Sequence, residues 1–119
     1  MKIPQMRLSD FTYEVFQKIV DVYDRARRGR GSSTLISPEM LGRGIDELKM
    51  RRPVEWRFHG TKLWVEHVPF YETNSEEMLI RFRFDGDEAL SKKEANRIEE
   101  VFNGEVTKFL TTRGLITGN

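Results

Sequence analysis

The sequence predicts one α+β domain of two layers, a three-stranded antiparallel sheet with helices on one face, in the order ααβββα. Three observations support this prediction. The stretch 54–84 holds three short runs of alternating apolar residues, and stretches before and after it repeat apolar residues at helical spacing. The 119 residues suit a single core. The domain should span 1–119, with a mobile loop at 29–36 and a frayed tail at 115–119.

The first helix is predicted to begin at Ser9, a residue type that favours the N-cap position. Phe11, Val15 and Ile19 then recur at helical spacing. We expect this helix to end near Arg28, because a run of glycine and serine follows it.

The second helix is predicted to begin at Ser37 and Pro38, since serine caps a helix and proline at the first position loses no hydrogen bond. Pro53 marks the latest point at which it could end. Gly42 and Gly44 each weaken it by about 1 kcal/mol relative to alanine. A break into two short helices is therefore a second interpretation of this stretch.

That break would permit an alternative fold, a winged-helix core with an added strand and a C-terminal helix. Its two helices would be "SPEMLGRG" and "IDELKMRR", and the hairpin 54–68 would be the wing. Arg43 and Lys49 would then contact DNA, and Arg51 and Arg52 would end the recognition helix.

The first two strands are predicted to form a hairpin around a two-residue turn at Gly60–Thr61. This turn pairs Phe58 with Leu63 and Trp56 with Val65 on one apolar face. The third strand, 78–84, alternates in the same way.

The last helix has the clearest beginning in the chain. Ser91 and Glu94 have the spacing of a capping box, and apolar residues follow on one face. Gly114 is predicted to cap the C-terminus.

Composition narrows the class of protein. The net charge is +1, charged residues make up 33% of the chain, and cysteine is absent, which excludes disulfides and thiolate metal sites. The first ten residues lack the apolar core of a signal peptide, and no apolar run is long enough to cross a membrane. We therefore expect a cytoplasmic protein without a membrane partner.

The charges are unevenly distributed along the chain. Residues 25–62 carry ten Lys or Arg against four Asp or Glu, whereas residues 63–119 carry seven against eleven. Such segregation favours a basic surface that attracts phosphate groups.

The polar face of the predicted sheet is the first candidate site. Basic side chains around an aromatic ring can neutralise phosphates and stack a base. The candidates on this face are Arg57, Lys62, Trp64, Arg81 and Arg83. The alternative is a solvated face, on which Arg57 lies over Trp64 and the arginines balance Glu55 and Glu66.

A second candidate is the arginine cluster where the first helix meets the Gly/Ser loop. A mobile basic loop can follow a nucleic-acid backbone. Cations near a helix C-terminus also compensate the helix dipole, and this is the alternative explanation. The cluster consists of Arg25, Arg27, Arg28 and Arg30.

Enzymatic interpretations have weaker support. The predicted pairing places His59 and His67 on opposite faces of the hairpin, which argues against a shared metal or proton relay. The sequence "DGDE" at 85–88 begins like a calcium loop, but lysines and a leucine stand at later ligand positions. We expect no catalytic residues, no metal, no cofactor and no small-molecule substrate.

The leading hypothesis is a small non-catalytic binding or regulatory protein that contacts nucleic acid through its basic surface. The alternative is a protein-interaction or inhibitor module, which could pair with a partner or form a homodimer through an edge strand. Trp64 and Tyr71 would then be anchor candidates at the interface.

Overall fold

The computed structural model describes residues 4–26, 36–58, 61–69, 78–85 and 91–115. Within these ranges, three α-helices and one four-stranded antiparallel sheet make up an α+β domain. A short 3-10 helix at Leu8–Asp10 joins the first strand to the first α-helix. The elements in chain order are β1 (Gln5–Arg7), α1 (Tyr13–Ala26), α2 (Pro38–Lys49), β2 (Val54–Phe58), β3 (Thr61–His67), β4 (Leu79–Asp85) and α3 (Lys92–Thr112).

The sheet has the strand order β1-β4-β3-β2, and each neighbouring pair is antiparallel. The three predicted strands are present, but the predicted sheet lacked β1. This strand is short and pairs with the start of β4, where Met6 lies opposite Ile80. Both side chains are fully buried. The order of elements is therefore βααβββα rather than ααβββα.

The hairpin of β2 and β3 has a different register from the predicted one. Trp56 pairs with Leu63 and Phe58 pairs with Thr61, so two residues, 59 and 60, separate the strands. In the predicted register, with its turn at Gly60–Thr61, each residue of β2 paired with a residue two positions further along β3 than in the structure. A shift of two preserves which side chains share a face, so the predicted apolar face is still correct.

The helix beginnings agree with the sequence in two cases of three. Ser37 Oγ accepts a hydrogen bond from the Met40 N–H, and Ser91 Oγ accepts one from the Glu94 N–H. Ser9 is not the cap of α1, because it lies inside the 3-10 helix. Thr12 Oγ1 has that role and accepts from the N–H of Val15 at 3.3 Å.

The second helix is continuous through both of its glycines. It packs on the sheet, with Gly44 so close to Trp56 that a Cβ built there would lie 2.6 Å from ring atom Cζ2. The winged-helix alternative required two helices in this stretch, and the single helix contradicts it. Trp56 fills the gap that a larger residue at position 44 would occupy, which explains a glycine inside a stable helix.

Two helices end in the same type of cap. After α3, the Leu115 N–H bonds to the Leu110 carbonyl, and Gly114 has φ +67°, as the predicted glycine cap requires. After α2, the Arg52 N–H bonds to the Glu47 carbonyl, and Arg51 takes the left-handed conformation with φ 62°. Arginine thus stands at a position that favours glycine.

The core lies between the helices and one face of the sheet. One aromatic group in it joins Phe11, Phe16, Trp56 and Phe82, with ring centroids 4.5 Å apart for Phe16 and Trp56. All three helices contribute buried side chains to the same core. The helices were predicted to cover the apolar sheet face, and this is confirmed.

None of the helices in the described ranges is long and apolar enough to span a membrane.

Candidate functional site

The sheet face opposite the helices carries the candidate site. Trp56, Leu63, Val65, Ile80 and Phe82 belong to the core. Because side chains alternate along a strand, their neighbours in β2, β3 and β4 project from the other face. We call this side of the sheet the outer face. Its members with described side chains on these three strands are Glu55, Arg57, Lys62, Trp64, Glu66, Leu79, Arg81 and Arg83.

Two groups of charged side chains lie on the outer face, each built around one glutamate. Glu66 Oε1 lies 3.4 Å from Arg81 Nε and 3.1 Å from Arg83 Nη1. On the neighbouring strands, Glu55 Oε1 lies 3.2 Å from Lys62 Nζ and 3.8 Å from Arg57 Nη2. Each glutamate therefore contacts two cations, and each group of three side chains keeps a net charge of +1.

Trp64 lies between the two groups. In the register of the sheet its neighbours are Glu55 on β2 and Arg83 on β4. The indole is half-buried, whereas the side chains of Arg57 and Arg83 are 72% and 52% exposed. The charged heads at the edges of the ring are thus more accessible to solvent than the ring itself. This arrangement places a half-buried aromatic side chain between two groups of cations.

The ion pairs bear on the alternative of a solvated face. That interpretation predicted that arginines balance Glu55 and Glu66, and both glutamates have such partners. It also predicted Arg57 beside Trp64, but the register places Arg57 opposite Lys62 instead. The side chains of Arg57 and Arg83 are exposed, and exposed ion pairs contribute about 0–1 kcal/mol each, so a phosphate group can compete for these two arginines. Arg81 is only 19% exposed and is held more firmly by Glu66.

Two residues of β1 extend the outer face, and neither was predicted to belong to it. Gln5 lies opposite Arg81, and Arg7 lies opposite Leu79. Arg7 Nε pairs with Asp10 at 2.8 Å, so this arginine adds little net charge to the face. The signal in the sequence was Met6 between two polar residues, which is too short a pattern to predict a strand.

The other described basic candidates lie in the helical layer rather than on the outer face. Arg25 is exposed in the last turn of α1. Arg43 and Lys49 are exposed on α2, and Arg51 and Arg52 follow its end. Since α2 packs on the core side of the sheet, these residues do not join the outer face. The candidates thus separate into two surfaces on opposite layers.

Four further candidates lie outside the described residues. These are Arg27, Arg28 and Arg30 of the arginine cluster and the interface candidate Tyr71. His59 and most of the acidic segment 85–88 lie outside them as well.

His67 has a structural contact. Its Nε2 donates a short hydrogen bond to the carbonyl oxygen of Leu48, in the last turn of α2. Because a carbonyl only accepts, this nitrogen carries the proton. The bond fixes the end of α2 to the end of β3. Among the residues that the structure describes, no group of three His, Asp or Glu side chains could hold a metal ion.

In comparisons with known proteins, the chain matches no family model, no curated protein and no solved structure at a significant level.

Proposed function

We propose that this protein binds single-stranded nucleic acid on the outer face of its sheet. The observation that carries the proposal is the position of Trp64 between two groups of net positive charge. An aromatic ring on an open sheet can stack one base, and flanking cations can neutralise the phosphates on either side of it. Side chains from three neighbouring strands supply such a ring and such cations on one face, which supports the proposal.

The phosphates of the nucleic acid would compete with Glu55 and Glu66 for the exposed arginines, and the release of counterions would favour binding. Four cations and two carboxylates leave a net charge of +2 on the two groups. Two to four phosphate contacts to a single strand predict a slope of log K against log salt of about −1.4 to −2.8. The net charge of the whole chain is only +1, so we expect modest affinity that falls as salt rises.

Fluorescence anisotropy with labelled single-stranded RNA and DNA, and with the matching duplexes, tests the proposal. The titrations should be made at low and at moderate salt. We expect binding to the single strands with the salt dependence given above, and weaker binding to duplexes, whose bases are not free to stack. Absence of single-strand binding at low salt would refute the proposal.

Substitutions then locate the surface. Trp64→Ala should weaken binding about 5- to 150-fold, the value of one stacked base, whereas Trp64→Phe should retain most of it. Arg83→Ala should flatten the salt slope by about 0.7. Arg113→Ala is the matched control, because Arg113 is equally exposed (52%) but pairs with Glu14 on the helical side. If Arg113→Ala changes the slope as much as Arg83→Ala does, binding does not depend on the outer face.

A protein-interaction module is the second proposal. It is favoured by β2, which ends the order of strands and has a neighbour on one side only within the described residues. Trp64 would serve as an anchor in this case as well. Pull-down with the intact chain distinguishes the two proposals: a protein partner that competes with single-stranded RNA would assign the outer face to protein, and a partner that does not compete would point to the edge.

A further inference from the structure

Among the described residues β2 is an edge strand of the sheet, and the direction of its backbone groups can be assigned from one hydrogen bond. The N–H of Val68 donates to the carbonyl of Leu79 at 3.0 Å, which fixes the alternation along β3. Even-numbered residues of β3 turn their backbone groups to β4, and odd-numbered residues turn theirs to β2. In the observed register, residues 54, 56 and 58 of β2 face β3. The N–H and C=O groups of Glu55 and Arg57 therefore point away from the sheet.

We infer that this edge pairs with the same edge of a second copy of the chain, by an antiparallel β2–β2 contact centred on Trp56. In this register Glu55 lies opposite Arg57 of the second copy, and Arg57 lies opposite its Glu55. Both residues of each pair have outward backbone groups, so the contact forms four hydrogen bonds. It would join two four-stranded sheets into one of eight strands. The inference does not rest on the proposed nucleic-acid binding.

Charge selects this register over its neighbours. A two-fold axis at residue 55 would place two glutamates opposite each other, and an axis at residue 57 would place two arginines opposite each other. Like charges directly opposite destabilise an antiparallel pair, whereas opposite charges stabilise it. Only the axis at Trp56 makes the edge complementary to itself. The side chain of Arg57 is 72% exposed and lies 3.8 Å from Glu55 of its own copy, a loose contact that it can exchange for Glu55 of the second copy.

The groove beside the edge has the same self-complementary character. It lies between α2 and β2, has a volume of about 310 Å³, and is lined by Met40, Arg43, Gly44, Glu47 and Trp56 among others. Gly44 lies against Trp56, so an axis through Trp56 passes close to the middle of α2. Two antiparallel copies of α2 would then bring Arg43 of one towards Glu47 of the other.

Residue 53 limits the contact to this short segment. Pro53 has no N–H to donate, so a longer ladder cannot form beyond it. With few hydrogen bonds and two ion pairs, the dimer should be weak and should dissociate on dilution. We expect it to be visible between about 10 µM and about 1 mM protein, the range of dissociation constants that weak contacts give.

Sedimentation velocity of charge-reversed variants tests the inference. Glu55→Arg places arginines opposite each other, and Arg57→Glu places glutamates opposite each other, so each variant alone should raise the dimer dissociation constant about tenfold or more. Mixed together, the two variants regain both opposite-charge pairs and should form a heterodimer. Glu105→Arg and Lys108→Glu, both exposed on α3, are controls with the same changes in charge and should leave dimerisation unchanged.

Amide hydrogen exchange of the unmodified chain gives an independent measurement. The amides of Glu55 and Arg57 should exchange fast in dilute solution and become protected as the concentration rises. Those of Val54 and Trp56 bond within the sheet and should be protected at every concentration. A chain that stays monomeric at about 1 mM, a dimer that either charge reversal leaves intact, a mixture that does not associate, or a dimer without protection at Glu55 and Arg57 would each overturn the inference.

Discussion

Alanine at the two glycines of α2 should have opposite effects on stability. A Cβ at Gly42 meets nothing within 4 Å, so Gly42→Ala gains helix propensity and should stabilise the fold by about 0.5–1 kcal/mol. A Cβ at Gly44 would lie 2.6 Å from Cζ2 and 3.0 Å from Cη2 of Trp56. Carbon atoms in contact are normally about 3.5–4.0 Å apart, so the ring or the helix must move by about 1 Å.

Trp56 has little room to move, because its ring packs on Phe16 at 4.5 Å and on Phe11 at 6.4 Å between centroids. Overpacking of this kind costs about 1–3 kcal/mol, which exceeds the gain of about 1 kcal/mol in propensity. We therefore expect Gly44→Ala to be neutral or to destabilise the protein by up to about 2 kcal/mol. The two variants should differ by about 1–3 kcal/mol, or several degrees in melting temperature.

Urea denaturation followed by circular dichroism measures both variants. A third substitution shows whether the contact with Trp56 is the cause: Trp56→Phe removes the ring atoms that the new Cβ would meet. In that background Gly44→Ala should become stabilising, which gives a coupling free energy of at least about 1 kcal/mol. If Gly44→Ala and Gly42→Ala are equally stable in the parent chain, α2 does not lie on Trp56 as described.

Other contacts give further predictions that the same denaturation measurement checks. Arg51→Gly should stabilise the protein by about 0.5–1 kcal/mol, because glycine adopts the left-handed backbone of this position without strain. Gly114→Ala should destabilise it by about 1 kcal/mol for the same reason. If the two substitutions change stability equally, the left-handed caps are not strained. Ser91→Ala should cost about 1 kcal/mol, and Ser91→Asp, which retains a cap, should cost little. His67→Ala should cost about 1–3 kcal/mol because the Leu48 carbonyl loses its donor, and a cost near zero would show that water replaces the ring.

Most of the layered fold was predictable because local chemistry and burial favour the same structure. Ser37 and Ser91 begin helices as their residue type predicts, and Gly114 ends one. The alternation along β4 predicted the buried Ile80 and Phe82. These features depend on the period of a strand or helix, which a sequence displays directly.

Other features depended on contacts that no local pattern encodes. The predicted and observed registers of the hairpin differ by two residues. Alternation cannot distinguish them because both bury the same side chains. β1 could not be predicted, because three residues with one buried side chain carry almost no periodic signal. The continuity of α2 depends on Trp56, a partner on a later strand, rather than on the residues around Gly44.

The members of the candidate site were predictable, but its individual ion pairs were not. Alternation placed Arg57, Trp64, Arg81 and Arg83 together on one face, as the structure does. Which cations each glutamate contacts depends on the register and on side-chain conformation, so alternation alone could not assign the partners of Glu55 and Glu66.

The position of β1 has a consequence for how the chain is made. Its hydrogen bonds run to β4, and Tyr23 of α1 packs on Phe102 of α3, both late in the sequence. During translation β1 and α1 would therefore leave the ribosome before β4 and α3 have been synthesised. Until α3 emerges, part of the apolar side of α1 stays exposed to solvent. Exposed apolar surface of this kind promotes aggregation of a nascent chain, which chaperones counteract.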